Sequence, residues 1–168
     1  MAVAVAGENV TTVYLIAGGR GYEHAAGILG DDFSGVLERD GSAPYQRFTN
    51  AKHQTCAAHL LRRTGELIAD SVAGQARVPR AALRILKHAL AFRDQRDEDV
   101  IDADEFGLKV TEINERTDKL LAMRPTHKPN RRLIQHLTNG REHMSRSWPS
   151  PACRPRTGGP SRRYAQRS

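Results

Sequence analysis

What most limits the fold of this chain lies at its C-terminal end, because from Arg141 onward it stops supplying material for a core. Residues 141–168 hold seven Arg (Arg141, Arg146, Arg154, Arg156, Arg162, Arg163 and Arg167) against one acid, Glu142, together with four Pro, Cys153 and almost no aliphatic side chain. Seven minus one gives +6 of the formal net charge of +7, so residues 1–140 are nearly neutral and the pI of ≈ 9.9 belongs mainly to the tail. Such a segment carries charge but too little apolar surface to offset the entropy of ordering it. It is expected to be a disordered basic arm, able to hold nucleic acid without sequence preference. A compact fold has to come from residues 1–140.

For 168 residues one domain is the expectation, and 39% hydrophobic residues allow a modest core. Two cysteines, Cys56 and Cys153, make a poor disulfide framework. No apolar run reaches the roughly 18 residues of a membrane span, and the Ala/Val-rich start lacks a basic leader. A reducing cytoplasm and no membrane partner are therefore expected.

The pattern along the chain changes twice. Val3 to Ala6 and Val13 to Ala17 are short apolar runs separated by Gly7-Glu8-Asn9, which predicts a hairpin whose second strand is central. Gly21 to Leu29 has helical spacing at Tyr22, Ala25, Ala26 and Leu29, with Gly30 as terminator. Gly35 to Arg39 reads as a strand, Pro44 to Phe48 as a turn or short helix, Lys52 to Cys56 as a brief strand, and Ala58 to Asp70 as a helix with Leu60, Leu61, Leu67 and Ile68 inward. Beyond Ser71 two long amphipathic helices follow. One carries Ala82, Leu83, Ile85, Leu86, Ala89, Leu90 and Phe92, and the other carries Phe106, Val110, Ile113, Leu120 and Leu121. Neither is apolar all round, so they are expected to pair as an αα-hairpin. Asn130 is placed to cap a last helix bearing Leu133, Ile134 and Leu137. The expected division is 1–70, 71–140 and the basic tail 141–168.

Thr12-Val13-Tyr14, Gly19-Arg20-Gly21-Tyr22, Gly35-Val36-Leu37-Glu38-Arg39-Asp40-Gly41, Pro44-Tyr45 and His53-Gln54-Thr55-Cys56-Ala57-Ala58-His59-Leu60-Leu61-Arg62 occur in order. Together they resemble the core of the insertion-sequence-66 family of DDE transposases. The similarity continues through Asn130-Arg131-Arg132-Leu133, fades around Glu142 to Ser147 and covers roughly four fifths of the chain. It implies an α/β fold: an incomplete ribonuclease-H-like core with a mixed sheet and a helical insertion. The implied chemistry is metal-dependent DNA cleavage and strand transfer, with three carboxylates holding two Mg2+ or Mn2+ ions. The implied partners are transposon-end DNA and further copies of the same chain. Asp40 matches the second acid of that set and is the candidate catalytic residue and metal ligand. The first acid is expected upstream of Met1. Ser42 stands where many relatives carry an aromatic.

The third acid is expected in a phrase that the tail spells only in another frame. Residues 155–167 admit an encoding whose nucleotides, read two bases later, give Ala-Asn-Trp-Arg-Ala-Glu-Gln-Ala-Ile-Arg-Pro-Ala. Residues 147–155 likewise admit Leu-Ala-Glu-Pro-Gly-Val-Pro-Ala. The alternative reading has helical periodicity after a Pro-ended loop, and it resembles the family's acidic motif.

Asp40 alone cannot fix two cations roughly 3.5–4 Å apart, because their mutual repulsion needs bridging and flanking oxygens. Asp31 and Asp32 sit in a loop before the strand, and Glu66 precedes the helical insertion rather than following it. His53, Cys56 and His59 have an inviting zinc spacing, but structural zinc takes four ligands from separate elements, so core packing and framing of the Asp40 site are favoured. Gly18-Gly19-Arg20-Gly21 lacks the Lys-Ser/Thr ending of a phosphate loop and reads as a tight β-to-α turn. Arg20, His59 and Arg62 are the candidates for contacting DNA phosphate or framing the site, a positioning role. The basic pairs Arg62-Arg63 and Arg131-Arg132 read otherwise as solvated helix faces. The expectation is a transposase remnant without strand-transfer activity. The rival reading is a nonenzymatic DNA-binding or interfering fragment acting through its Arg-rich tail.

Overall fold

The structure is a computed structural model that describes residues 2–5, 11–14, 19, 21–72 and 74–147, with side chains described at 19, 21–72 and 74–144. Strands β1 (Ala2–Val5) and β2 (Thr11–Tyr14) pair antiparallel, Val3 opposite Val13, as the two apolar runs flanking Gly7-Glu8-Asn9 require. Helix α1 (Tyr22–Leu29) ends where Gly30 takes φ +84, and the Gly30 N–H bonds back to the Ala26 carbonyl at 2.8 Å. Strand β3 (Val36–Arg39) runs parallel to β4 (Lys52–Thr55), Leu37 opposite His53. Their connection, residues 40–51, includes a 3-10 helix, Ala43–Arg47, and has about the minimum length for a parallel crossover.

Five further helices follow: α2 (Ala57–Ala69), α3 (Arg77–Asp97), α4 (Ala103–Leu121), α5 (Lys128–Asn139) and α6 (Arg141–Ser147). In α3, Val78, Ala82, Ile85, Leu86, Ala89 and Arg93 recur at helical spacing and are buried. Pro79 lies in its first turn, where a missing N–H leaves no carbonyl unserved. Helix α4 starts at Asp102, whose carboxylate accepts the Glu105 N–H at 2.8 Å. It packs along α3 as the expected hairpin, and α2 packs on α3. Asn130 does not cap α5. His127 holds that position, and Asn130 lies inside the helix, buried, with Nδ2 donating to the Gln75 carbonyl at 2.8 Å. The side chain that looked like a local cap is a long-range tie between α5 and the turn before α3.

The mixed sheet of a ribonuclease-H-like core is not what these residues build. The described strands form two separate two-stranded sheets, β1–β2 and β3–β4, and the fold is predominantly helical. The physical reason is in the strand sequences. Of Val36–Arg39 only Leu37 is buried, Val36 is 47% exposed, and Lys52–Thr55 buries only Gln54. A sheet covered on both faces needs near-continuous apolar strands. The core went where the apolar residues are: Leu60 from α2, Leu86 from α3, Ile113 and Leu120 from α4, Leu133 and Leu137 from α5 and Met144 from α6 close into one cluster. Each fully buried leucine there contributes roughly 1.5–3 kcal/mol. A smaller cluster of Ala25, Leu37, Phe48 and Ala51 joins α1 to β3. Helix α6 occupies the first residues of the segment expected as a disordered tail, while residues 148–168, Cys153 among them, lie outside the described residues. Among the described residues no helix is long and apolar enough to cross a membrane.

Candidate functional site

Asp40 follows directly on the last residue of β3, and the turn after it is built by its two neighbours. Its Oδ1 accepts both the Ser42 N–H at 2.9 Å and the Ser42 hydroxyl at 2.6 Å. The Ser42 hydroxyl, more than anything else, holds the Asp40 carboxyl below its ordinary range. Partial burial opposes that pull, and the Ser42 N–H and the charge of His59 add to it. Gly41 between them has φ +94, and a Cβ there would stand 2.5 Å from Cε1 of His136. Glycine is thus required twice, for its backbone and for the imidazole of α5 packed against it.

Arg39, the last residue of β3, donates Nε–H to Nδ1 of His53 at 3.1 Å, and Nε2 of His53 lies 3.0 Å from the Phe48 carbonyl. Since a guanidinium only donates, the His53 proton sits on Nε2 and is given to that carbonyl. His53 therefore ties β4 to β3 and to the end of the crossover, and its ring is 5.5 Å from that of His143 on α6. Burial pulls the Arg39 pKa down, with the Asp40 charge opposing.

A small cleft of ≈ 70 Å³ opens beside this turn, between the ends of β3 and β4 and the residues joining α5 to α6. Arg39, Gly41, Thr55, His136, Asn139 and His143 are on its wall. That is well below the roughly 300–1,000 Å³ of pockets that enclose a small organic ligand. Burial lowers the pKa of His136, and Arg63 and His59 of α2 lower it further, with Arg39 also acting downward and Asp40 upward.

Of the residues expected at the site, His59 of α2 acts electrostatically on Asp40. Arg62 is exposed, bonds Nδ1 of His59 through Nη2 at 3.1 Å and lies 3.9 Å from Glu66, so its charge is shared along its own helix. Arg20 lies outside the described residues. Asp31 accepts the Tyr22 hydroxyl at 2.9 Å, and Cys56 is a half-buried thiol at the start of α2. Sequence reasoning missed His136, Asn139 and His143. They come from helices far along the chain from Asp40, and the one available signal was weak: His136 falls beside Leu133 and Leu137 at the edge of the α5 stripe.

No group of three or more His, Cys, Asp or Glu side chains able to hold a metal ion occurs among the described residues. The donors around Asp40 are guanidinium, imidazole, amide and hydroxyl groups, which suit an anion better than a pair of hard cations. They do not fit the two-ion centre that the resemblance implies.

Compared with known protein families, residues 2–148 match the family described as Transposase IS66 family. No curated protein and no solved structure matches the chain.

Proposed function

The chain belongs to the IS66 transposase family, and from that premise we propose that residues 1–168 are a DNA-contacting remnant of its catalytic domain that does not by itself complete strand transfer. The family resemblance implies attack by water, and then by a DNA 3′-hydroxyl, on a phosphodiester, with Mg2+ or Mn2+ held by three acids. The observation that carries the reading is the surroundings of Asp40. One carboxylate, fastened to Ser42, stands among Arg39, His59 and His136, and among the described residues no acids are grouped with it to share a cation. Those basic groups are chemically suited to positioning phosphate, whereas a single carboxylate cannot offset the repulsion between two divalent ions. The family match stops at residue 148, next to the change of composition, which supports a shifted reading frame in the tail.

The test is a nicking and strand-transfer assay on supercoiled and short duplex DNA, with Mg2+ and then Mn2+, for the chain and for Asp40→Ala. The expected result is no cleavage that distinguishes the two proteins. Metal-dependent cleavage by the chain that disappears in Asp40→Ala would overturn the proposal. The Arg-rich tail supports a second, nonenzymatic reading, because the +6 it carries is enough for nonspecific binding without any contribution from Asp40.

A further inference from the structure

The geometry points to the cleft beside Gly41 as a subsite for one backbone phosphate of DNA, gripped by Arg39 and His136 with Arg63 of α2 adding charge. This rests on the reading of the chain as a DNA-contacting one, but it assigns the contact to residues other than Arg20, His59 and Arg62. Arg39 and Arg63 are both half-buried, and among the described residues neither forms an ion pair with a carboxylate. Arg39 spends Nε on His53, leaving its terminal nitrogens for another acceptor. Arg63 makes no hydrogen bond among the described residues. Its neighbour Arg62, by contrast, is exposed and already neutralised in part by Glu66. A guanidinium drawn out of water without a counter-ion is costly, and an anion brought to it recovers that cost.

The imidazole of His136 lies on the same wall and is within electrostatic reach of both arginines, and no described group hydrogen-bonds its ring. Thr55 and Asn139 add polar atoms to the rim. The carboxylate of Asp40, which also acts on His136, has Oδ1 committed to Ser42. One guanidinium on the wall, that of Arg39, and a second, Arg63, acting on His136 from α2 make the cleft favourable to an anion, in a part of the chain whose overall charge is close to zero. The small volume suits a single phosphate group. Placed there, a phosphodiester would lie against the Asp40 turn, which is where a strand would need to be fixed.

The experiment is fluorescence polarisation of a labelled duplex titrated with the full chain in EDTA, from about 50 mM to about 200 mM salt. Arg39→Gln is expected to weaken binding roughly 5- to 10-fold at the low end and to reduce the slope of log K against log salt by about one, and Arg63→Gln, which removes charge acting from α2, to weaken it about 2- to 3-fold. Arg84→Gln, on the exposed side of α3, serves as the control and is expected to change neither. Arg39→Gln also removes the bond to His53, so Arg63→Gln, which breaks no described bond, decides the matter if the first variant unfolds. Low-salt affinity unchanged in Arg63→Gln, with the wild-type chain binding normally, overturns the cleft assignment and leaves the DNA reading standing. No binding by the wild-type chain would overturn both. Inorganic phosphate, added at constant ionic strength, separates the two sources of the ligand: displacement of the duplex at low millimolar concentration would assign the cleft to the free anion instead. Because metal is absent throughout, the outcome is independent of whether the chain cleaves.

Discussion

At the residue scale the site turns on three consecutive side chains, of which the middle one is a hydrogen atom. Asp40 supplies the carboxylate, Gly41 the left-handed turn under His136, and Ser42 the two donors that keep the carboxylate charged. Because the folded pKa of Asp40 is depressed, its contribution to stability is fully present above the unfolded value of roughly 3.9 and is lost as pH falls through the lower folded value. Ser42→Ala removes the leading cause, so the Asp40 pKa is expected to rise toward that of an ordinary aspartate, and the acid limb of the stability curve should move to higher pH. Carboxyl-carbon NMR titration of the two proteins reads this directly. An unmoved Asp40 titration in the variant would mean that His59 and the backbone, not the hydroxyl, hold the charge. The place of Asp40 at the end of a strand was legible, since Asp-Gly after an extended run is a local pattern. The role of Ser42 was not, because a hydroxyl reaching back two residues has no periodic signature.

At the scale of elements, the sequence is most informative where one period runs long. The stripes of α3 and α4 span 21 and 19 residues, and the recurrence of apolar positions at helical spacing marks the face that packs. The four-residue strands were found as local extended runs, and the antiparallel pairing of β1 with β2 was legible as a hairpin, but the pairing of β3 with β4 in a separate sheet was not. A strand that short has too few side chains to declare whether one face or both are covered, and the family resemblance supplied a mixed sheet that Val36 and Lys52–Thr55 cannot support. Asn130 failed for a related reason, since a cap and a buried tie to a distant carbonyl look alike until α5 is placed against Gln75. The same contrast predicts uneven stability. Backbone amides of Leu86, Ile113 and Leu133, in the helical cluster, should exchange with solvent most slowly. Those of Leu37 and Gln54, in a sheet of two strands, should exchange at least about tenfold faster, through an opening that leaves the helices intact. Hydrogen exchange followed by NMR or mass spectrometry measures both sets together. Equal protection would show that the two clusters open as one cooperative unit.

For the whole molecule the question is what the basic tail is. The helical cluster reaches its last described member at Met144 on α6, and Arg141 anchors that helix through Asp118 at 2.7 Å and the Asn114 side chain at 3.2 Å. The family match ends at residue 148, and the apolar periodicity of the printed sequence ends beside it. A basic arm selected for DNA binding would have no reason to encode a second coherent phrase in an overlapping frame, whereas a transposase gene that lost its frame would retain the old phrase in its nucleotides. The codons for residues 147–167 are therefore expected to be those that, read two bases later, yield Leu-Ala-Glu-Pro-Gly-Val-Pro-Ala and then Ala-Asn-Trp-Arg-Ala-Glu-Gln-Ala-Ile-Arg-Pro-Ala. Arg162, for example, should use AGG and Ser161 AGC, because only then does the shifted frame place Gln and Ala after its Glu. Sequencing that stretch of the gene settles it: a stop codon or an unrelated phrase in the shifted frame would make the tail a genuine arm. The +6 charge of residues 141–168 would then be a property of the protein's DNA affinity rather than an accident of reading.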